Sequence, residues 1–196
     1  MPSSDTLLRA LHTPADPPLR PLPPSVAALL EALEAPPRLA AHLRAVHDVA
    51  AELVDWVERR CPDLAVDRDA VLFGAATHDI GKTVHTDELS GPGSSHEESG
   101  RALLEAHGFP PDLARFAATH ASWTDPAVAF EDLLVSTADK VWKNKRVPEL
   151  EDLVVARLAE ATGGQAWEEY LALDDLLGRI GDGADQRLAF QAAFPV

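Results

Sequence analysis

Apolar residues recur at helical spacing in one segment of this chain after another. Between positions 38 and 60, Leu39, Leu43, Val46, Ala50, Leu53 and Val57 form one apolar stripe, which predicts a long amphipathic helix with His47 at the edge of the stripe. A second helix is predicted from near Asp67 through Val71, Leu72 and Ala75 to His78 and Asp79, with Gly81 supplying its exit. Ser94 with Glu97, or Ser95 with Glu98, has capping-box spacing, so a third begins at His96 and ends at Gly108. Residues 111–120 read as a short helix in which Leu113, Phe116 and Ala117 put His120 on the apolar side. The next, from near Pro126, has apolar residues on two sides and carries Asp139 between Val135 and Trp142. Three further pieces, 150–161, 166–180 and 186–194, are separated by Gly163, Gly164, Gly181 and Gly183. No alternation of β-branched residues is long enough for a strand, and no repeat period appears. The predicted class is all α, a helical bundle.

Prolines and glycines divide the chain. Residues 1–24 contain Pro2, Pro14, Pro17, Pro18, Pro21, Pro23 and Pro24, which predicts a Pro-rich arm without regular helix. Ser25 is the expected cap of a short helix over 26–35. The main helical domain is then 25–147, and the helices of 148–196 pack on it or extend it; they could cover a site, complete the core or pair two chains as a homodimer. Residues 83–95, with Ser90, Gly91, Pro92, Gly93 and Ser94, read as a loop of the kind that rims active sites.

Composition narrows the function classes. The 196 residues include 32 acidic and 17 basic side chains, a formal charge of −15, which disfavours long nucleic acid and requires locally placed cations for any anionic substrate. Cys61 is the single cysteine, so no intrachain disulfide is expected. No signal peptide opens the chain and no apolar run approaches the roughly 18 residues of a membrane span, so the expected compartment is the cytoplasm, with no membrane partner.

Histidines and aspartates on apolar helix faces call for a compensating partner, because an unpaired buried polar group costs a few kcal/mol. A metal ion supplies one. Imidazole and carboxylate donors suit manganese, iron or zinc, and in His78-Asp79 the carboxylate can bridge two ions while the imidazole binds one. Lys82 follows the pair closely, His85 lies in the loop beyond it, and Lys140, Lys143, Lys145 and Arg146 form the densest basic cluster of an acidic chain. His12, His42 and His107 are expected to be structural or solvated.

The run Thr77-His78-Asp79-Ile80-Gly81-Lys82 resembles the paired motif of the HD-domain superfamily, and the likeness extends over roughly residues 38–145. By this resemblance His47 is the earlier histidine, Asp139 in Ser136-Thr137-Ala138-Asp139-Lys140 is the closing aspartate, and His96 and His120 are the two intermediate histidines of two-metal members. The resemblance implies two divalent transition-metal ions, iron or manganese first, with zinc, cobalt or nickel as alternatives. One would be held by His47, His78, Asp79 and Asp139, and the other by Asp79, His96 and His120. It also implies a phosphohydrolase or phosphodiesterase in which a metal-bridging hydroxide attacks a small phosphorylated metabolite or nucleotide. Asp79 and Lys82 are then the expected catalytic residues, and Lys82, His85, Lys140 and Lys143 the substrate contacts. The same ligand order occurs in diiron oxygenases of the superfamily acting on small polar substrates, and a non-catalytic binding module is a third reading.

Overall fold

Helix breakers set the boundaries of the elements, and burial decides which helix lies at the centre. The computed structural model describes residues 4–196, and among them no strand occurs. The helices are α1 (Ser4–His12), α2 (Pro24–Ala32), α3 (Pro37–Arg60), α4 (Arg68–Thr77), α5 (Ser95–Ala106), the one-turn α6 (Pro111–Ala114) and α7 (Phe116–Thr119), α8 (Phe130–Val141), α9 (Pro148–Thr162), α10 (Ala166–Asp182) and α11 (Ala184–Ala192). Two 3-10 turns, Ile80–Thr83 and Thr86–Leu89, join α4 to α5. The protein is all α, as its periodicity predicts.

Pro24, Pro37, Pro111 and Pro148 each open a helix, at a position where the missing N–H costs no hydrogen bond. Ser25 therefore lies in the first turn of α2 rather than capping it. At the start of α4 the Asp67 side chain accepts the Ala70 N–H at 2.9 Å, a normal N-cap. Helix α8 starts at Phe130 rather than near Pro126, where Asp132 accepts the Ala129 N–H at 3.1 Å.

Helix α3 is the axis of the bundle. Leu39, Leu43, Val46, Val49, Leu53 and Val57 are all buried, and the helix is covered on nearly every side. It packs on α4 and α8, which also pack on each other; α1 and α11 lie against it, α9 backs α8, and α10 backs α9. Helix α5 is set apart from this layer and rests on the turn Ile80–Thr83 and on α7. No helix among the described residues is long and apolar enough to cross a membrane.

The N-terminal stretch differs from the extended arm that its prolines predict. Prolines exclude a helix only where they interrupt it, and the segment between Pro2, which lies outside the described residues, and Pro14 has none. Helix α1 occupies it and buries Leu7, Ala10 and Leu11. Residues 13–23 are irregular, yet Leu19 and Leu22 are buried, so this segment is part of the core. Its anchor is Arg44 of α3, whose buried guanidinium donates to the carbonyls of Ala10 (3.3 Å), Thr13 (2.8 Å), Leu19 (3.0 Å) and Arg20 (3.2 Å). One arginine thereby satisfies four backbone acceptors, one at the end of α1 whose helical partner would be Pro14 and three in the irregular segment that follows. Arg44→Met should cost about 2–4 kcal/mol by leaving those acceptors unpaired. Hydrogen exchange should show the loss concentrated in residues 4–23.

Candidate metal centre

The centre is assembled where α4 stops. The predicted helix through Asp79 ends at Thr77; His78 occupies the C-cap, its N–H on the Gly74 carbonyl at 2.8 Å, and the chain then tightens into the turn Ile80–Thr83. Asp79 leaves the helix at this bend and faces the start of α5. A Cβ added at Gly81 would lie 2.0 Å from the His96 carbonyl oxygen and 2.8 Å from the Gly100 nitrogen, so only glycine lets α5 approach this closely. His96 comes from the first turn of α5, His120 from the end of α7 and Asp139 from the last turn of α8. All of these side chains are buried.

Asp79 divides the site. Its Oδ2 lies 3.3 Å from His42 Nε2 and 3.7 Å from His78 Nε2, and its Oδ1 lies 3.1 Å from His96 Nε2 and 3.6 Å from His120 Nε2. On the Oδ2 side, Asp139 Oδ1 is 3.4 Å from His78 Nε2 and 3.9 Å from His42 Nε2. His42, His78 and Asp139 thus offer one set of ligand atoms, and Asp79, His96 and His120 another, the atoms within each set lying no more than 4.8 Å apart.

The structure brings together five of the six side chains expected from sequence and replaces the sixth. His42, expected to be structural, occupies the place foreseen for His47. Five residues of α-helix rotate the side chain by about 140° beyond a full turn, so the two histidines of α3 cannot face one centre. His47 is buried away from the cluster, with no hydrogen-bond partner for its Nδ1, and burial lowers its pKa to about 4. His85 is also displaced from its expected role, since it precedes the turn Thr86–Leu89 and does not line the cavity above the cluster. Lys82, Lys140 and Lys143 do line it.

Hydrogen bonds on the far side of the rings fix which nitrogen is bare. His78 Nδ1 donates to the Ala75 carbonyl at 2.9 Å and His120 Nδ1 to the Ala117 carbonyl at 3.0 Å. Carbonyls only accept, so each Nδ1 carries a proton, and in the neutral ring it is Nε2 that offers a lone pair toward the cluster. Burial lowers the His78 pKa, but the Asp79 and Asp139 carboxylates outweigh it and raise it. His96 Nδ1 donates at 2.5 Å to Glu88, whose carboxylate also accepts the backbone N–H groups of Ser95 (3.0 Å) and His96 (3.2 Å). Glu88 thereby does what the predicted capping box would have done, and the Ser94 side chain makes no capping bond. The hydrogen bond from His96 holds the Glu88 pKa down at about 2. Glu88 was not legible in the sequence; it reaches His96 by the folding back of the loop, and no local spacing marks it.

Charge in the cluster favours a bound cation. Burial opposes ionisation of Asp79 and Asp139, but the surrounding imidazoles, and Lys140 at Asp139, outweigh it and hold both carboxyls well below the usual range. Burial lowers the pKa of His42, and lowers that of His120 to about 4 with the help of neighbouring His78, so both rings are neutral near pH 7. His96 Nε2 is buried without a hydrogen-bond partner. Four imidazoles, one of them with an orphaned ring nitrogen, and two buried carboxylates fit a transition-metal centre with nitrogen and oxygen donors.

The cluster forms the floor of an open cavity of about 460 Å3. Lys82 Nζ donates to Asp79 Oδ2 and Lys140 Nζ to Asp139 Oδ2, both at 2.6 Å. Trp142 packs edge-on against His42, with 4.8 Å between ring centroids, and Leu188 and Gln191 of α11 close one side. Arg38 and Glu97 complete the charged lining and were not foreseen as part of it.

A family model described as HD domain matches residues 39–161. No curated protein and no solved structure gives a significant match.

The two histidines of α3 should separate cleanly in mutants. His42→Ala should lower metal content in a protein purified without chelators, whereas His47→Gln should retain it. The folded pKa of His47, about 4, is below its unfolded value of 6.5, so the unfolded chain binds more protons between those limits and stability falls as pH drops through that window. His47→Gln should remove up to about 3 kcal/mol of that acid sensitivity, read by urea unfolding at pH 7 and pH 4.

Proposed function

The chain belongs to the HD-domain family, and from that membership we propose that it is a phosphohydrolase that uses two divalent transition-metal ions to cleave a small phosphorylated metabolite or nucleotide. The observation that carries this reading is the division of Asp79, with Oδ2 turned to His42 and His78 and Oδ1 to His96 and His120. A carboxylate presented in this way suits a bridge between two ions, one also held by His42, His78 and Asp139 and the other by His96 and His120. Iron or manganese best matches the mixed imidazole and carboxylate donors, with zinc, cobalt or nickel as alternatives.

When bound, such a pair supplies an activated water near neutral pH and positive charge for the oxygens of a phosphoryl group. The protein's own residues orient and hold the substrate. Lys82 and Lys140 flank the two aspartates on the cavity side, where each ammonium is within reach of a phosphate oxygen. Their own ion pairs hold them in place. The buried ring of Trp142 shields His42 from water. A cavity lined by several cations in a chain of charge −15 favours an anionic substrate.

Metal analysis followed by a phosphate-release panel with added manganese or iron tests the reading, with about two ions per chain and release from at least one phosphorylated substrate expected. Asp79→Ala should abolish metal binding and hydrolysis together. Lys82→Ala should keep the metals and raise KM about tenfold, the loss expected for one charge-assisted hydrogen bond. Hydrolysis that survives loss of Asp79, or substrate-dependent oxygen uptake in place of phosphate release, would contradict it.

A further inference from the structure

Resting on the phosphohydrolase reading, we propose that Arg38 and Lys143 form an anion subsite for a second phosphate group of the substrate, about one helical turn from the metal-ligand cluster. Arg38 precedes His42 by four residues on α3, and side chains at that spacing stand about 6 Å apart on one helix face. Lys143 follows Asp139 by four residues, in the turn that closes α8. Helices α3 and α8 pack together, and both cations line the same cavity. Two of the three segments that supply a ligand to the His42 side of the centre, α3 and α8, therefore place a cation four residues from that ligand.

Their charges are not already used. Acidic residues outnumber basic ones by 32 to 17, and several arginines are paired, as in Arg60 with Glu169 and Arg146 with Glu151 and Asp174, while Arg9, Arg59, Arg157 and Arg179, which have no ion pair among the described residues, do not line this cavity. Lys82 and Lys140 are engaged with Asp79 and Asp139. Among the described residues Arg38 has no carboxylate partner. Its Nε donates to the Phe194 carbonyl at 3.0 Å and one terminal nitrogen to the Ala192 carbonyl at 3.5 Å, while its backbone N–H donates to Pro195 at 3.0 Å. Neutral carbonyls fix the guanidinium without cancelling its charge, and the other terminal nitrogen is left for a ligand. Arg44 and Arg187 are also held by carbonyls, but both are buried and neither lines this cavity.

Lys143 likewise has no carboxylate partner among the described residues; its ammonium lies 5.8 Å from the Trp142 ring centroid, a contact that positions the charge and leaves it available. The lining cations Arg38, Lys82, Lys140 and Lys143 outnumber the carboxylates Asp79, Glu97 and Asp139 before any metal adds to them. A single phosphate at the metals would leave Arg38 and Lys143 unmatched, whereas a substrate with a second phosphate would engage them. The C-terminal residues 192–195 acquire a role in this arrangement, since their carbonyls position Arg38.

Calorimetric titration of the full-length, manganese-loaded protein with propyl phosphate and with propane-1,3-diyl bisphosphate tests the subsite, with manganese content measured on each sample. The wild type should bind the bisphosphate about tenfold more tightly, and Arg38→Gln and Lys143→Gln should each bring the ratio of the two affinities toward one. Lys143 is exposed and makes no hydrogen bond or ion pair through its side chain among the described residues, so its variant tests the subsite even if loss of Arg38 loosens the C-terminus. A wild type without the preference, or a preference retained in both variants, overturns the subsite while propyl phosphate binding leaves the phosphohydrolase reading standing. Failure of the loaded protein to bind either compound overturns both.

Discussion

A carboxylate buried among four histidines is the constraint on which the rest of this structure depends. Asp79 is 5% exposed, and its charge would cost several kcal/mol in that position without compensation. Compensation comes from every direction at once, with imidazoles on both oxygens and the Lys82 ammonium on Oδ2. The backbone is arranged to make this possible. Helix α4 stops one residue before His78, the following turn carries Asp79 away from the helix axis, and Gly81 removes the side chain that would hold α5 at a distance.

The outer layers of the protein serve that centre by fixing the helices that supply it. Helix α3 contributes His42 and is held by α4 and α8 on one side and by α1 and α11 on another. Arg44, on the same helix, gathers the irregular N-terminal segment through four carbonyls. Arg187 performs a related task on α11, donating to the Trp142 carbonyl at 2.8 Å and so tying that helix to the end of α8. The loop between the 3-10 turns and α5 wraps the Glu88 carboxylate, which in turn orients His96. The Nδ1 hydrogen bonds of His78, His96 and His120 orient those rings so that each turns its Nε2 to the cluster.

Much of this was legible in the sequence. The helices followed from apolar spacing and from proline and glycine punctuation, and the placement of His78, Asp79, His96, His120 and Asp139 in one cluster followed from the resemblance of their order and helical context to the HD-domain pattern. The choice between His42 and His47 did not follow, because α3 is buried on nearly all sides and its amphipathicity cannot orient it. The N-terminal helix was hidden by weighting the proline count over the proline-free interval that carries Leu7, Ala10 and Leu11. Glu88 and Arg38 belong to a different category. Their partners are a folded loop and a C-terminal tail 156 residues away, contacts that only tertiary structure creates.

Anomalous diffraction from crystals grown with manganese tests the central claim most directly. The account predicts two peaks flanking Asp79, one among His42, His78 and Asp139 and the other beside His96 and His120. A single peak with Asp79 bound to only one ion, or a peak at His47, would contradict it.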